Sequence, residues 1–518
     1  VGCSNLSSPG VAAVSAATEP SLGVRPVGDT TIQPDMSRVD STELKQIFSY
    51  IDEHIDGHVA NLQRWVRQPG LSDSGEGISD SADMVKGFFT RLGCQTSTVY
   101  DVGATEWGAE GHPVVYSRCD EGAPHTLLIY WTYDTSSAAQ PDVWVAPPFD
   151  GRLVAQPPFP RVLIARGADS KGPQMAQWNA LMSIKAVAGR LPVNLIVVAE
   201  GDAERMHVGL RQFMTTHADL FADAEALWGE GGQRYSGRGR ISEGNSEGCV
   251  SVEISTSARR PSRIRTVSDR DHRVDSPAWR HIKAISSIVS DEGDTARIDG
   301  FYDDALPPSA AQLRAYADAA KTFDIEEAAR NLGVARFVSD EAVGVLPDRR
   351  WMSFNLDGIW DGNMEGAGGA RSPRILSKHR IRYVPNMKSP DLVEKLQKQL
   401  VKNGYPDAEV TMIGDVPWRV GTLSGALPRA QARALDLMQI PYSDAPAIEP
   451  LADGCWPAYL FSGGTVLDIP ISNAGAGFGG NAHAANEFYV IEGAGKVYGM
   501  AGAEKTLAAV LYNFAGKN

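Results

Sequence analysis

Two short apolar runs, residues 126–130 and 193–199, end abruptly in polar clusters. Runs of that length suit strands buried on both faces. Segments of helical spacing surround them: 41–67, with Leu44, Ile47, Phe48, Ile51 and Ile55 in register, then 81–92, 171–188 and 206–215. Further strands are predicted at 95–100 and 112–117, and a Pro-rich loop at 141–160. Strands alternating with helices predict an α/β fold, a mostly parallel sheet flanked by helices.

The pattern changes after Gly248. Residues 250–255 alternate like a half-exposed strand, 278–290 read as a helix, and 379–384, 390–403 and 408–413 as strand, helix and strand. This predicts an α+β layer inserted into the first domain. The chain then returns with a strand at 469–472 and a last helix from about Val490. A chain of 518 residues exceeds what one core organises, in keeping with two domains. The expected division is a flexible tail at 1–40, a first domain in two parts at 41–248 and 416–518, and the insertion at 249–415.

The net charge of −14, with no basic stripe, argues against a nucleic-acid partner. The short run Arg259, Arg260, Arg263 and Arg265 reads as a solvated loop or as a clamp for an anionic group. No apolar run approaches the ~18 residues a membrane helix needs. Val1-Gly2-Cys3, followed by a Ser/Ala/Pro/Gly-rich stretch, is similar to the cleavage site of a bacterial lipoprotein. Lipidation at Cys3 would place the protein in the cell envelope, with its lipid as the sole membrane contact. A chance Gly-Cys in a flexible tail, and a cytoplasmic protein, is the other reading. None of Cys94, Cys119, Cys249 and Cys455 has a zinc-ribbon spacing. Cys94 and Cys119 lie near two predicted neighbouring strands and are the favoured pair in an oxidising compartment; buried free thiols are the alternative.

Open parallel sheets bind ligands beyond the carboxyl ends of their strands. Polar clusters stand at such ends: Tyr130 to Asp134, Arg166 to Gly172, and Glu200 to Glu204, with Gly480 to Glu487 far downstream. Carboxylates gathered with an imidazole repel one another unless a cation lies between them. Two carboxylates, one His and a water make a four-coordinate catalytic zinc site.

These motifs resemble the superfamily of zinc-dependent aminoacylases, carnosinases, glutamate carboxypeptidases and succinyl-diaminopimelate desuccinylases. Gly300 to Asp304, Gly358-Ile359-Trp360, Arg382 to Asn386, and His483 with Asn486-Glu487 also carry the resemblance, which runs from about Ser41 to the C-terminus. It implies a metal-binding α/β domain with an inserted ferredoxin-like lid, which often serves for dimerisation, so a homodimer is expected. It also implies hydrolysis of an amide or other C–N bond in a small substrate. Asp169 matches the family's bridging Asp, Glu204 its first-metal Glu, His483 its late metal His, and Asp134 the Asp that orients a second-metal His. Thr132 stands where that second His is expected, Ala203 where the general base is expected, and Glu230 where the second-metal Asp is expected. The oxyanion-stabilising His has no counterpart around Thr266, and His272 is the nearest substitute. The expectation is thus one metal per chain, zinc or otherwise manganese or cobalt. Proton transfer would pass to Glu230, with Glu200, Asp202 and His207 as further candidates. Arg382 is expected to bind a substrate carboxylate or to pair on a lid strand. Trp131 and Tyr133 would line an aromatic substrate pocket or pack in the core. The alternative overall is a non-catalytic binding or structural descendant of the same scaffold.

Overall fold

The computed structural model describes residues 32–138, 141–229, 231–258, 276–307 save 292 and 294, 353–360, 373–443 and 454–518, with scattered positions between 310 and 337. Residues 1–31 of the tail expected at 1–40, Cys3, Glu230, the Arg259 to Arg265 run, Thr266 and His272 lie outside the described residues. The rest of that segment is ordered rather than a tail: Met36–Arg38 form a short 3-10 helix, Val39 is buried, and the Asp35 N–H donates to the Leu437 carbonyl at 2.7 Å.

The central sheet holds six strands: β1 (Thr96–Tyr100), β4 (Val114–Cys119), β8 (Asn194–Glu200), β5 (Thr126–Thr132), β9 (Ala226–Gly229) and β16 (Ile471–Asn473), in that spatial order. β8, β5, β9 and β16 run parallel, while β1 and β4 join antiparallel at one edge. β8 is buried at every position, as its apolar run requires.

Helix α1 (Thr42–Val66) starts where the Ser41 side chain accepts the Leu44 N–H at 3.1 Å. Its buried face includes Leu44, Ile47, Phe48, Ile51 and Ile55, the stripe that the 3.6-residue spacing dictates. Helices α2 (Ile78–Leu92) and α3 (Ala168–Ala188) pack in the same core cluster. The last helix, there too, does not begin near Val490. That residue lies in strand β18 (Phe488–Glu492), and the helix spans Met500–Phe514. Val490 alternates within a separate four-stranded sheet, ordered β17 (Gly479–Gly480), β18, β7 (Phe159–Ile164), β6 (Arg152–Gln156). That sheet also corrects the Pro-rich loop expected at 141–160, part of which is strand. Both misreadings have one cause: short strands bound to a distant segment leave little local periodicity. Small ladders pair β2 (Gly103–Ala104) with β3 (Glu110–Gly111), and β10 (Gly239–Arg240) with β15 (Tyr442–Ser443).

The inserted layer is a four-stranded antiparallel sheet in the order β12 (Ser353–Trp360), β13 (Arg374–Tyr383), β11 (Gly248–Ser257), β14 (Ala408–Val416). A helix at Pro277–Ser286 and another at Ser389–Lys402 share its core. The sequence of elements, βαββαβ, and the strand order give the expected ferredoxin-like lid. Two disulfides are formed, Cys94–Cys119 within the first domain and Cys249–Cys455 between lid strand β11 and the first domain.

Candidate metal centre

Asp134 follows the end of β5, Glu204 the end of β8, and Asp169 sits in the first turn of α3, where a carboxylate complements the helix dipole. Gly167 caps that helix at φ 79°, and a Cβ there would strike Thr135. His483 lies in the loop between β17 and β18, itself at φ 61°. Further non-glycine residues in the left-handed region gather near these groups: Met206, His207, Asn481 and Asn486. Conformations of that kind cost energy and cluster at functional sites.

One cavity of about 120 Å³ is lined by Thr132, Asp134, Arg166, Asp169, Ala203, Glu204, His483 and Glu487, among others. Three chain-distant segments thus bring Asp169, Glu204 and His483 to a single space. His483 Nδ1 lies 3.4 Å from Glu204 Oε1. Among the described residues, the one set of three candidate donor atoms mutually within 4.8 Å is Glu247, Cys249 and Cys455, and there the two sulfurs are bonded to each other. The Asp169, Glu204 and His483 donors are therefore spread somewhat wider, and gathering around an ion needs side-chain rotation. His483, whose side chain is 67% exposed, has room for it.

The electrostatics suit a cation. Burial, with Glu487 nearby, pushes the Asp169 carboxyl up to about 6 against the opposing pull of His483. Burial raises Asp134 to about 7, although it accepts the N–H groups of Ala203 at 3.3 Å and Glu204 at 3.0 Å. Buried carboxylates held above their ordinary range are relieved by positive charge. Two carboxylates, one imidazole and a solvent-facing opening fit the donor set of a catalytic zinc. With no imidazole at position 132, Asp134 holds the Glu204 backbone instead. The Thr132 hydroxyl accepts a hydrogen bond from Gln174 Nε2 at 3.4 Å, so an amide and a hydroxyl meet where a second-metal ligand was expected.

Other expected residues lie elsewhere. Glu200 is buried and outside the cavity. Its Oε1 accepts from Tyr130 Oη at 2.5 Å and lies 2.7 Å from His207 Nδ1. Asp202 is also buried, accepting N–H groups of His112 and Gly209. Trp131 and Tyr133 are core residues. Trp131 stacks on Trp65 and donates to Gln177 Oε1 at 2.6 Å, and the Tyr133 hydroxyl donates to the Pro113 carbonyl. The aromatic-pocket expectation is thereby corrected. Arg382 forms a lid ion pair with Glu247 at 2.9 Å and lines no described cavity. Arg166 and Glu487 line the cavity although sequence reasoning gave them no role; Glu487's place beside His483 in the Asn-Glu motif was the available signal.

Asp169 also borders a second cavity of about 280 Å³, walled by Gly231, Gly232, Gln233, Gly477, Phe478, Gly479 and Tyr489. A Cβ at Gly479 would overlap the Asp169 carboxylate, so glycine there lets the β17 backbone pass close to it.

The fold is the one expected from the motifs: it superposes on an M20 family metallo-carboxypeptidase from Sulfolobus solfataricus with a TM-score of 0.70 at 24% identity, over 88% of this chain and 99% of that one. No protein-family model matches the chain. Among curated proteins it is similar to Beta-Ala-His dipeptidase of Homo sapiens, 25% identical over 392 residues, covering 70% of this chain and 71% of the relative. It is also similar to Cys-Gly metallodipeptidase DUG1 of Candida albicans, 24% identical over 365 residues, covering 67% and 73%. Of solved structures, the dipeptidase Dug1p from Saccharomyces cerevisiae superposes with a TM-score of 0.74 at 22% identity, over 91% of this chain and 98% of that one. Human carnosine dipeptidase 1 gives 0.72 at 21% identity, over 91% and 100%.

Proposed function

We propose that the chain is a hydrolase of an amide bond in a small, peptide-like substrate, working with one zinc ion per chain. The observation that carries this reading is the single cavity lined by Asp169, Glu204 and His483. Those three would hold the ion, which when bound supplies Lewis acidity. The chain's own residues do the rest. Asp134 fixes the Glu204 backbone through two N–H bonds. Thr132 and Gln174 occupy each other where a second ion's imidazole would stand, which supports a stoichiometry of one. Ala203 has no proton to exchange, so the proton acceptor must come from another segment. Glu230 is our choice, because it stands where the family resemblance places a carboxylate of the second metal site.

The named activities of the curated relatives, both dipeptidases, support a small peptide as substrate. The test is zinc content and hydrolysis over a panel of dipeptides and amides with metal-replete protein. About one zinc per chain, and turnover abolished by Asp169→Ala or His483→Ala, is the expected result. Zinc bound without turnover of any amide would favour the non-catalytic binding protein instead.

The two disulfides support an oxidising compartment, in line with an envelope protein tethered at Cys3. Mass spectrometry of the native N-terminus tests the lipid. A lid-mediated homodimer is supported by the exposed Leu356 and Ile359 on edge strand β12.

A further inference from the structure

Glu487 is 4% exposed, and each of its carboxylate oxygens has a separate task. Oε1 accepts the backbone N–H of Asp169 at 3.0 Å, and Oε2 accepts from the Arg166 guanidinium at 2.9 Å. The Glu487 carbonyl accepts the Ala165 N–H at 3.0 Å. Arg166, 3% exposed, also donates to the Ala484 carbonyl at 3.3 Å, one residue from His483, and its guanidinium lies over Trp144 at 5.2 Å. The loop carrying Asp169 and the loop carrying His483 are thus joined by one buried ion pair, and both partners line the cavity. A salt bridge needed only for folding would not have to reach the backbone beside two candidate ligands.

We propose that Glu487 and Arg166 are positioning residues that fix the separation of Asp169 from His483 and so set the affinity for the metal. The inference rests on the single-metal reading of that cavity. Left-handed backbone at Asn481, His483 and Asn486 lets the loop double back on itself. Asn486 ties it to a further segment, accepting the Val145 N–H at 2.8 Å. A loop held this way presents His483 in a narrow range of positions, while its side chain stays open to solvent. Outer groups that orient metal ligands typically set affinity by about 10- to 100-fold.

The experiment compares unaltered protein with Glu487→Gln, Glu487→Leu and the double variant Arg166→Met/Glu487→Leu. Zinc affinity is read by competition with a chelator. Thermal midpoint and hydrogen exchange are read on metal-free protein. Glu487→Gln keeps an oxygen for the Asp169 N–H and should weaken zinc less than Glu487→Leu, which should lose about 10- to 100-fold. The double variant replaces a buried ion pair by apolar groups, so its thermal midpoint should stay near that of the parent while the zinc loss persists. Residues 165–170 and 481–488 should exchange faster together in every variant. Zinc affinity within about twofold of the parent in a folded variant would overturn the proposal, as would loosening of one segment without the other. Should the double variant not fold, Glu487→Gln decides alone. If the parent itself binds no zinc, the single-metal reading fails, and the joint or separate loosening of the two segments still judges the clamp.

Discussion

At the scale of single residues, the proposal turns on Thr132 and Ala203, which stand where the family resemblance places a metal-binding imidazole and a general base. A hydroxyl bonded to Gln174 does not replace an imidazole, and a methyl group takes no proton. Restoring acid–base chemistry with Ala203→Glu should raise turnover of simple dipeptides by about 10²- to 10⁴-fold, the usual worth of a general base. Steady-state kinetics on a dipeptide panel checks this, and unchanged turnover would show that position 203 no longer faces the reacting bond. Asp169→Ala should lower zinc affinity by more than about 100-fold, beyond the loss expected of outer groups; a chelator competition assay reads it.

The residues that were legible in the sequence were those at strand ends. Asp134, Asp169, Glu204 and His483 all reach the cavity. Trp131 and Tyr133 did not, and the reason is parity. Side chains alternate along β5, so residues 127, 129, 131 and 133 join one core cluster while Leu128 and Tyr130 join another. A neighbour of Thr132 on the same strand therefore faces away from it. Glu200 was misplaced for a different reason. Its Oε1 is engaged by Tyr130 and His207, partners 70 and 7 residues away, in a buried position that no local pattern reveals.

At the scale of elements, the lid carries a buried polar chain. Thr256 Oγ1 lies 2.9 Å from His281 Nδ1, His281 Nε2 lies 2.8 Å from Ser377 Oγ, and Ser377 Oγ lies 2.7 Å from His379 Nε2. Burial pulls both imidazoles down to about 4 from 6.5, and at His379 the neighbouring His281 adds to the lowering. A base whose folded pKa is depressed binds its proton more readily when unfolded. The lid should therefore be fully stable above about pH 6.5 and lose stability as pH falls from there towards 4. The loss is of order 3 kcal/mol per imidazole. Thermal melts at pH 7 and 4.5 check the sign. The drop should shrink in His281→Gln/His379→Phe, and an equal drop in that variant would contradict the assignment. Strands β11, β13 and β14 and the two helices of this layer were readable from alternation and amphipathic spacing, whereas β12 (Ser353–Trp360) was not, and the ferredoxin-like order followed from the family resemblance. The β6, β7, β17 and β18 sheet was not readable either, because its two short hairpins meet only where β7 pairs with β18, more than 300 residues along the chain, as Ile164 does with Phe488.

At the scale of the whole molecule, the Cys249–Cys455 disulfide spans 206 residues and fastens the lid's first strand to the domain that carries the cavity. Closing so long a loop restricts the unfolded chain by roughly 5 to 5.5 kcal/mol in the entropic picture. Cys249→Ser/Cys455→Ser should lower the thermal midpoint by about 10 °C, the scale expected for a domain of this size. Calorimetry of the variant against the parent checks it, and an unchanged midpoint would show that the domains are held by packing alone. Among the described residues, no helix is long and apolar enough to cross a membrane.

The most direct test is anomalous diffraction at the zinc edge from crystals of the metal-loaded protein. A single peak at about 2.0–2.2 Å from donor atoms of Asp169, Glu204 and His483 is the predicted result. A peak on other residues, two peaks in the cavity, or none after zinc loading would contradict it.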